Sequence, residues 1–283
     1  MQIWDLAAHL EGMWTKEHRE RQKQFERQRY ATDLSDREWE SIQPLLPPPA
    51  RRGRKAKVDM REVLNALLRY LARTGCGWRM LPVHFPAWQT VYWWFRKLLR
   101  RFLFQTIHDI AVMIDRELQG REASPNAGVV DSQTVKAPNG GGYDAGKKTK
   151  GRKRHIAVDT DGHLLMLNVT TADVQDADGA ELIIKAIRKR WPWLKHLFAD
   201  GAYDRGKLMS AAAYRDFTIE VVRKIVDQKG FQVLPRRWVV ERTFGWMTRW
   251  RRLVRDYEVR CDVSGGMTYL AMGALMLRRL AHT

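Results

Sequence analysis

HIAVDTDGHLLMLNVT, residues 155–170, contains two apolar runs separated by an Asp-Gly pair. Short apolar runs of this kind favour strands, and Asp-Gly between two such runs favours a tight hairpin turn. We therefore predict a strand over His155–Asp159, a turn at Asp161–Gly162 and a further strand over Leu164–Thr170.

The chain on either side of this hairpin predicts a mixed α/β domain. An apolar run over Gly128–Lys136 predicts a strand ahead of the hairpin. After the hairpin, the hydrophobic pattern predicts a helix, a strand, a helix, a strand and a long helix, over residues 178–190, 193–198, 206–214, 217–222 and 238–255. Alternating helices and strands favour parallel pairing through crossovers. An antiparallel start followed by this alternation matches a ribonuclease-H-like domain, a mixed sheet flanked by helices.

The part of the chain before the sheet predicts helices only. Ser35 and Glu38 form a capping-box pattern, Asp59 caps a second helix, and a third helix starts at Trp88 and continues through Phe104. Helices joined by short turns, with basic and aromatic residues, are compatible with a helix-turn-helix-like DNA-binding domain. We therefore expect a charged helical arm, an all-α DNA-binding domain and an α/β domain, over residues 1–33, 34–120 and 121–283.

Charge and composition indicate a folded protein that binds a polyanion. Of 283 residues, 45% are hydrophobic, and 50 Lys and Arg against 32 Asp and Glu give a formal net charge of +18. Nucleic acid is the commonest partner of such a chain, and an acidic membrane surface is the rival. No apolar run approaches the roughly 20 residues that span a bilayer. Two distant cysteines imply neither disulfides nor zinc. We expect a cytoplasmic, nucleoid-associated protein with no membrane partner.

Several basic clusters are candidates for contact with DNA phosphates. Six cations occupy the eight positions 147–154, and five occupy the seven positions 51–57. Such a cluster is often only a solvated loop, but here the clusters lie beside elements expected to meet DNA. The predicted DNA-binding residues are Arg51, Arg52, Arg54, Lys55, Lys57, Gln89, Thr90, Arg96, Lys97, Lys147, Lys148, Lys150, Arg152, Lys153, Arg154, Arg236, Arg237, Arg249 and Arg252.

Three acids are candidates for a catalytic metal site. Asp131 and Asp200 each end an apolar run, and Glu241 lies in the first turns of the last predicted helix. If the two strands are neighbours, both aspartates emerge at one edge of the sheet, and a helix packed there adds Glu241. Mg²⁺ favours carboxylate oxygens, and two ions roughly 4 Å apart can promote phosphoryl transfer. We predict two Mg²⁺ ions, with Mn²⁺ as a substitute. A surface role for these acids stays open on the residues alone.

Three motifs around these acids resemble those of bacterial DDE transposases of insertion-sequence family five. They are Val130-Asp131-Ser132-Gln133, Ala199-Asp200-Gly201-Ala202-Tyr203-Asp204 and Arg237-Trp238-Val239-Val240-Glu241-Arg242. The resemblance covers nearly all of the chain from about Leu34 onward. Leu234 and Thr248 stand where the related pattern has Tyr and Lys, so those two auxiliary roles are not carried over.

The resemblance implies a transposase that binds terminal inverted repeats of double-stranded DNA. It would cleave strands at the element ends and join the 3′-hydroxyls to target DNA, as a homo-oligomer that is at least a dimer. Asp131, Asp200 and Glu241 would be the catalytic metal ligands, and Arg237 would contact the DNA backbone. The alternatives are a ribonuclease-H-like nuclease on junctions or hybrids, and a non-catalytic DNA-binding regulator.

Overall fold

Four helices precede the sheet in the computed structural model, which describes residue 30 and residues 32–48, 57–222 and 238–281. Helix α1 is Asp36–Ile42, and its predicted capping box is confirmed by the mutual bonds of Ser35 and Glu38. Helix α2 comprises Met60–Leu64, a π-helical stretch over Asn65–Leu71, and Ala72–Thr74. Helices α3 and α4 are Trp88–Arg100 and Leu103–Leu118.

The sheet has the strand order of a ribonuclease-H-like fold. Its strands are β1 (Ala127–Lys136), β2 (Gly142–Asp144), β3 (Thr149–Asp159), β4 (Leu164–Thr171), β5 (His196–Ala199) and β6 (Thr218–Val221). Strand β3 pairs antiparallel with β1, β2 and β4, whereas β1, β5 and β6 run parallel to one another. The order β4-β3-β1-β5-β6 confirms the predicted mixed sheet, and helices lie on both of its faces.

Neighbouring residues of each strand enter two separate cores, because side chains alternate across a strand. Val129 and Phe198 pack with α7 (Trp238–Thr248), α8 (Arg251–Val254), α9 (Cys261–Ala281) and the N-terminal helices. Val130 and Leu197 pack with α5 (Asp176–Arg190) and α6 (Gly206–Ala213) on the opposite face. We call these the α7 face and the α5 face of the sheet.

The predicted domain boundary near residue 120 lies between α4 and β1, and the apolar core continues across it. The helices α1 to α4 share one buried cluster with the α7 face of the sheet. Helix α4 also contacts much of the length of α9. Within the described part of the chain, no helix is long and apolar enough to cross a membrane. Most of the predicted arm, residues 1–29 and residue 31, lies outside the described residues.

The structure corrects four sequence-based assignments. Strand β3 begins at Thr149, so most of the cation-rich stretch is strand and not loop. Phe102 adopts a left-handed conformation (φ 54°), which separates α3 from the unpredicted helix α4. The predicted helix 238–255 ends at Thr248, because Trp250 is extended. The C-terminal helix α9 was not predicted. It is buried on nearly every side, so it lacks an amphipathic pattern.

Candidate active site

Asp131 lies on β1, and Asp200 lies just beyond the end of β5, its parallel neighbour. The last pair in the register of β1 and β5 is Val129 with Phe198, and each aspartate follows that pair by two residues. The backbone of Asp200 is still extended (φ −90°, ψ 179°). Adjacent strands are about 4.8 Å apart. Because Val129 and Phe198 pack on the α7 face, the two carboxylates project toward the same face.

Main-chain N–H groups fix the orientation of both carboxylates. The N–H of Ser132 donates to Oδ1 of Asp131 at 2.7 Å. The N–H of Ala202 donates to Oδ1 of Asp200 at 2.9 Å, so Asp200 caps the 3-10 turn Gly201–Tyr203. Both aspartates are half-buried. Strands β1 and β5 are neighbours, which is the condition under which the sequence predicted a shared site for the two aspartates; the shared metal site itself stays a prediction.

Glu241 lies on α7, which covers that same face. The Thr243 hydroxyl donates to the carbonyl of Gly162 at 2.7 Å, and the Arg242 guanidinium donates to the carbonyl of Asp161. These bonds attach the first turns of α7 to the β3–β4 turn. Glu241 is exposed and makes no hydrogen bond or ion pair with the residues that the structure describes. The Glu241 carboxylate is therefore accessible to a ligand.

A tighter acidic cluster lies at the β3–β4 turn. In the described residues, the three potential metal-ligand atoms within 4.8 Å of one another belong to Asp159, Asp161 and His163. Arg116 Nη1 lies 2.6 Å from Asp159 Oδ2, and Arg121 pairs with Asp161. Burial would raise the pKa of Asp159, but His163 and Arg116 hold it below its usual range. Because arginines already neutralise these acids, we interpret the cluster as an ion-pair network.

Sequence reasoning missed a fourth acid close to Asp131. Tyr203 is fully buried, and its hydroxyl lies beside the Ser132 side chain without a hydrogen bond of good geometry. Burial raises the pKa of Tyr203 well above its usual range, and the negative charges of Asp131, Asp176 and Asp200 raise it further. Ser132 bonds to Asp176 through its hydroxyl and to Asp131 through its N–H, so Asp176 lies near Asp131. The sequence did not single out Asp176, because an acid in the first turn of a helix, here α5, is usual.

Four of the predicted DNA-binding cations are buried, which corrects their assignment. Arg152, Lys153, Arg154 and Arg252 are at most 6% exposed. Arg152 donates to the carbonyl of Val259 at 2.6 Å, and Arg154 donates to that of Leu253 at 2.9 Å. Arg252 binds Glu258 at 2.6 and 2.9 Å. Burial lowers the pKa of Arg154 to about 10. Arg152 and Arg154 hold the chain after α7 against the sheet, whereas Lys153 and Arg252 pair with acids. DNA cannot reach these four side chains in this fold.

The other predicted DNA-binding residues differ in accessibility. Lys57, Gln89, Lys147, Lys148, Lys150 and Arg249 are exposed, and Thr90, Arg96 and Lys97 are half-buried. The Lys97 ammonium lies 4.8 and 4.5 Å from the ring centres of Trp93 and Trp94, which orients it along α3. The remaining six, Arg51, Arg52, Arg54, Lys55, Arg236 and Arg237, lie outside the described residues.

The strand order and the paired aspartates define the class of ribonuclease-H-like, DDE-type enzymes. Residues 122–276 match the family described as the transposase DDE domain, and residues 34–108 match a family described as transposase of the IS4/5 family. A Burkholderia cepacia protein described as a transposase for insertion sequence element IS402 is 31% identical over 157 residues, which are 53% of this chain and 72% of the relative. The chain belongs to the DDE transposase family, and this membership implies the use of divalent metal.

A solved structure of the catalytic core domain of BIV integrase is also similar to this chain. It is 17% identical, with a TM-score of 0.33, over 50% of this chain and 80% of the integrase domain. A TM-score this low carries no weight, so the assignment of the fold depends on the strand order of the sheet itself.

Proposed function

We propose that this transposase acts on the terminal inverted repeats of an insertion sequence, with Asp131, Asp200 and Glu241 as its metal ligands. It would cleave strands at the element ends and transfer the 3′-hydroxyls to target DNA. The observation that carries the proposal is the register of β1 and β5: Asp131 and Asp200 each follow its last pair, Val129 and Phe198, by two residues, and Val129 and Phe198 pack on the face that α7 covers. This register supports a shared site for all three acids.

The donor set fits a hard divalent cation. All three groups are carboxylates, which suit Mg²⁺ and, as a substitute, Mn²⁺. Two bound ions would supply an activated attacking oxygen and a stabilised leaving oxygen at the scissile phosphate. The chain itself orients Asp131 and Asp200 through the N–H groups of Ser132 and Ala202. It also anchors the first turns of α7, the helix that carries Glu241, to the β3–β4 turn.

Exposed cations on two parts of the molecule support DNA binding. Lys147 and Lys148 lie at the turn between β2 and β3, Lys150 is the second residue of β3, and Arg249 follows α7. The α1–α4 unit adds Lys57, Gln89, Thr90, Arg96 and Lys97. The six predicted contacts outside the described residues stay predictions. Joining two element ends requires two copies of the site, so the proposal includes a homo-oligomer that is at least a dimer. A nucleoid-associated place in the cytoplasm follows from the substrate.

The test uses DNA that carries the sequences flanking the coding region. With Mg²⁺, the wild-type chain should nick these ends and join them to target DNA. Asp131→Ala, Asp200→Ala and Glu241→Ala should each lose more than about 100-fold in rate, since even outer-shell groups of metal sites contribute 10- to 100-fold. The control Asp178→Ala removes an exposed acid of α5. It should keep the wild-type rate.

Three results would contradict this proposal. An Asp131→Ala protein that cuts and joins as the wild type does would exclude the metal site. Equal cleavage of any duplex would favour a nuclease on junctions or hybrids. Binding of the ends without metal-dependent cleavage by the intact chain would favour a regulator.

A further inference from the structure

Lys153 is a buried cation on the face of the sheet opposite the aspartates. It is 5% exposed, and its ammonium lies 2.9 Å from Asp176 Oδ1 and 3.5 Å from Asp144 Oδ2. Hydrogen bonds and the charge of Lys153 hold the pKa of each carboxyl below its usual range, although burial alone would raise it. The two acids are therefore ionised near neutral pH, and Lys153 is their shared internal counter-ion.

A continuous chain of polar contacts leads from Lys153 to Asp131. The Ser132 hydroxyl donates to Asp176 Oδ1 at 2.7 Å. The N–H of the same serine donates to Asp131 Oδ1 at 2.7 Å. Ser132 thus contacts Asp176 through its side chain on the α5 face and Asp131 through its main chain. A shift of Lys153 or Asp176 would be transmitted to the peptide that orients the Asp131 carboxylate.

The stability of the fold alone does not explain this arrangement. Replacing a buried ion pair by apolar residues of similar size is often neutral or stabilising. Here Lys153 pairs with two acids at once, Asp144 and Asp176, and Ser132 links Asp176 to Asp131 on the opposite side of the sheet. The buried hydroxyl of Tyr203 lies near the acids Asp131, Asp176 and Asp200, and its nearest polar side chain is that of Ser132, without a hydrogen bond of good geometry. Polar groups held at such a cost are typical of active sites.

We propose that Lys153, Asp176 and Ser132 are positioning residues for the metal ligand Asp131, acting through the Ser132 main chain. This inference rests on the proposed function, since it assigns the residues behind the same site. The sequence predicted that Lys153 contacts DNA phosphates. In this proposal Lys153 is instead an internal charge of the active site.

The smallest perturbation is Ser132→Ala, which removes the hydroxyl and keeps the N–H bond to Asp131. We expect the turnover rate on saturating end DNA to fall about 10- to 100-fold, as for other outer-shell groups of metal sites. The KM for DNA should stay unchanged. Mn²⁺ affinity, measured by electron paramagnetic resonance without DNA, should fall by a similar factor. Ser132→Thr keeps a hydroxyl and should restore most of the turnover rate and most of the Mn²⁺ affinity.

Lys153→Met separates a positioning role from a DNA contact. It should lower the turnover rate while the affinity for a fluorescein-labelled duplex of about 30 base pairs, and its salt dependence, match the wild type. Lys150→Met is the matched control, three positions earlier on β3 and exposed. Loss of one phosphate contact there should weaken binding and reduce the slope of log affinity against log salt by about 0.9.

Two outcomes would overturn the inference. One is a Ser132→Ala protein with wild-type turnover and Mn²⁺ affinity. The other is a Lys153→Met protein whose DNA binding weakens with the reduced salt slope of Lys150→Met. If Lys153→Met does not fold, Ser132→Ala and Ser132→Thr still decide the question. If the wild type binds Mn²⁺ but never cleaves end DNA, the proposed function fails, while the Mn²⁺ affinities still test the positioning role.

Discussion

His155 should make the fold sensitive to mild acid. Its ring is fully buried on the α5 face, with Nε2 3.0 Å from the Thr170 hydroxyl. Gly179 packs directly on the ring, since a Cβ there would lie 2.1 Å from it. Burial lowers the pKa of His155 to about 4, and Asp176 opposes this shift only in part. The folded protein therefore holds this histidine neutral well below its ordinary pKa of about 6.5.

The sign and size of the effect follow from linkage. Between about pH 6.5 and about pH 4 the unfolded chain binds a proton that the folded chain excludes, so stability is lost as the pH falls. At about 1.36 kcal/mol for each pH unit, the difference between a pKa of about 6.5 and one of about 4 corresponds to a loss of roughly 3 kcal/mol in unfolding free energy across that window. His155→Gln keeps a polar group near Thr170 and cannot titrate there, so it should lose less stability over the same range.

Urea unfolding at about pH 7 and about pH 4.5 measures the difference. The fall in unfolding free energy between these conditions should be larger in the wild type than in His155→Gln by about 2 to 3 kcal/mol. Other titrating groups cancel in this comparison. His196→Gln is the control, because that side chain is 32% exposed on β5. Equal pH dependence in the wild type and His155→Gln would refute the reasoning.

Two further substitutions test buried polar groups by the same urea assay. Tyr203→Phe removes a buried hydroxyl that has the Ser132 side chain nearby but no hydrogen bond of good geometry, so the unfolding free energy should stay unchanged or rise by up to about 1 kcal/mol. A fall of more than about 1 kcal/mol would show that the hydroxyl is satisfied in solution. Asp159→Asn leaves Arg116 without its buried partner and should cost about 3 kcal/mol, whereas Asp161→Asn disrupts a more exposed pair and should cost less than about 1 kcal/mol. Equal losses would contradict the proposed difference in burial.

Local sequence patterns were sufficient for the sheet and its two aspartates. The hairpin at Asp161–Gly162 and the flanking strands follow from alternation and turn chemistry, which act over a few residues. Asp131 and Asp200 were predicted to emerge at one edge of the sheet because each ends an apolar run; in the structure Asp131 lies in the middle of β1, and Asp200 follows the end of β5. That prediction requires only that β1 and β5 are neighbours in the sheet. A helical crossover between two strands favours such parallel pairing.

Tertiary packing decided what the sequence could not show. No Gly or Pro marks the end of α7, yet Trp250 is extended because it packs inside the core, with the Arg73 guanidinium 4.8 Å from its ring. Helix α9 is buried on nearly every side, and a Cβ on Gly266 would lie 2.2 Å from Leu99. Such close contact between helices leaves no polar stripe for a periodicity argument to detect.

The cation-rich strand shows why counting charges misled the prediction of the DNA interface. Consecutive residues of β3 face opposite sides of the sheet, so the run Arg152-Lys153-Arg154 is divided between two environments. On the α7 face, Arg152 and Arg154 donate to carbonyls of the chain that follows α7. On the α5 face, Lys153 neutralises the acids behind Asp131. A charged strand at the centre of a sheet must satisfy its charges internally, because a buried ion without partners is strongly destabilising. DNA contact at this strand is therefore expected only where β3 reaches the surface, at Lys150 and the turn before it.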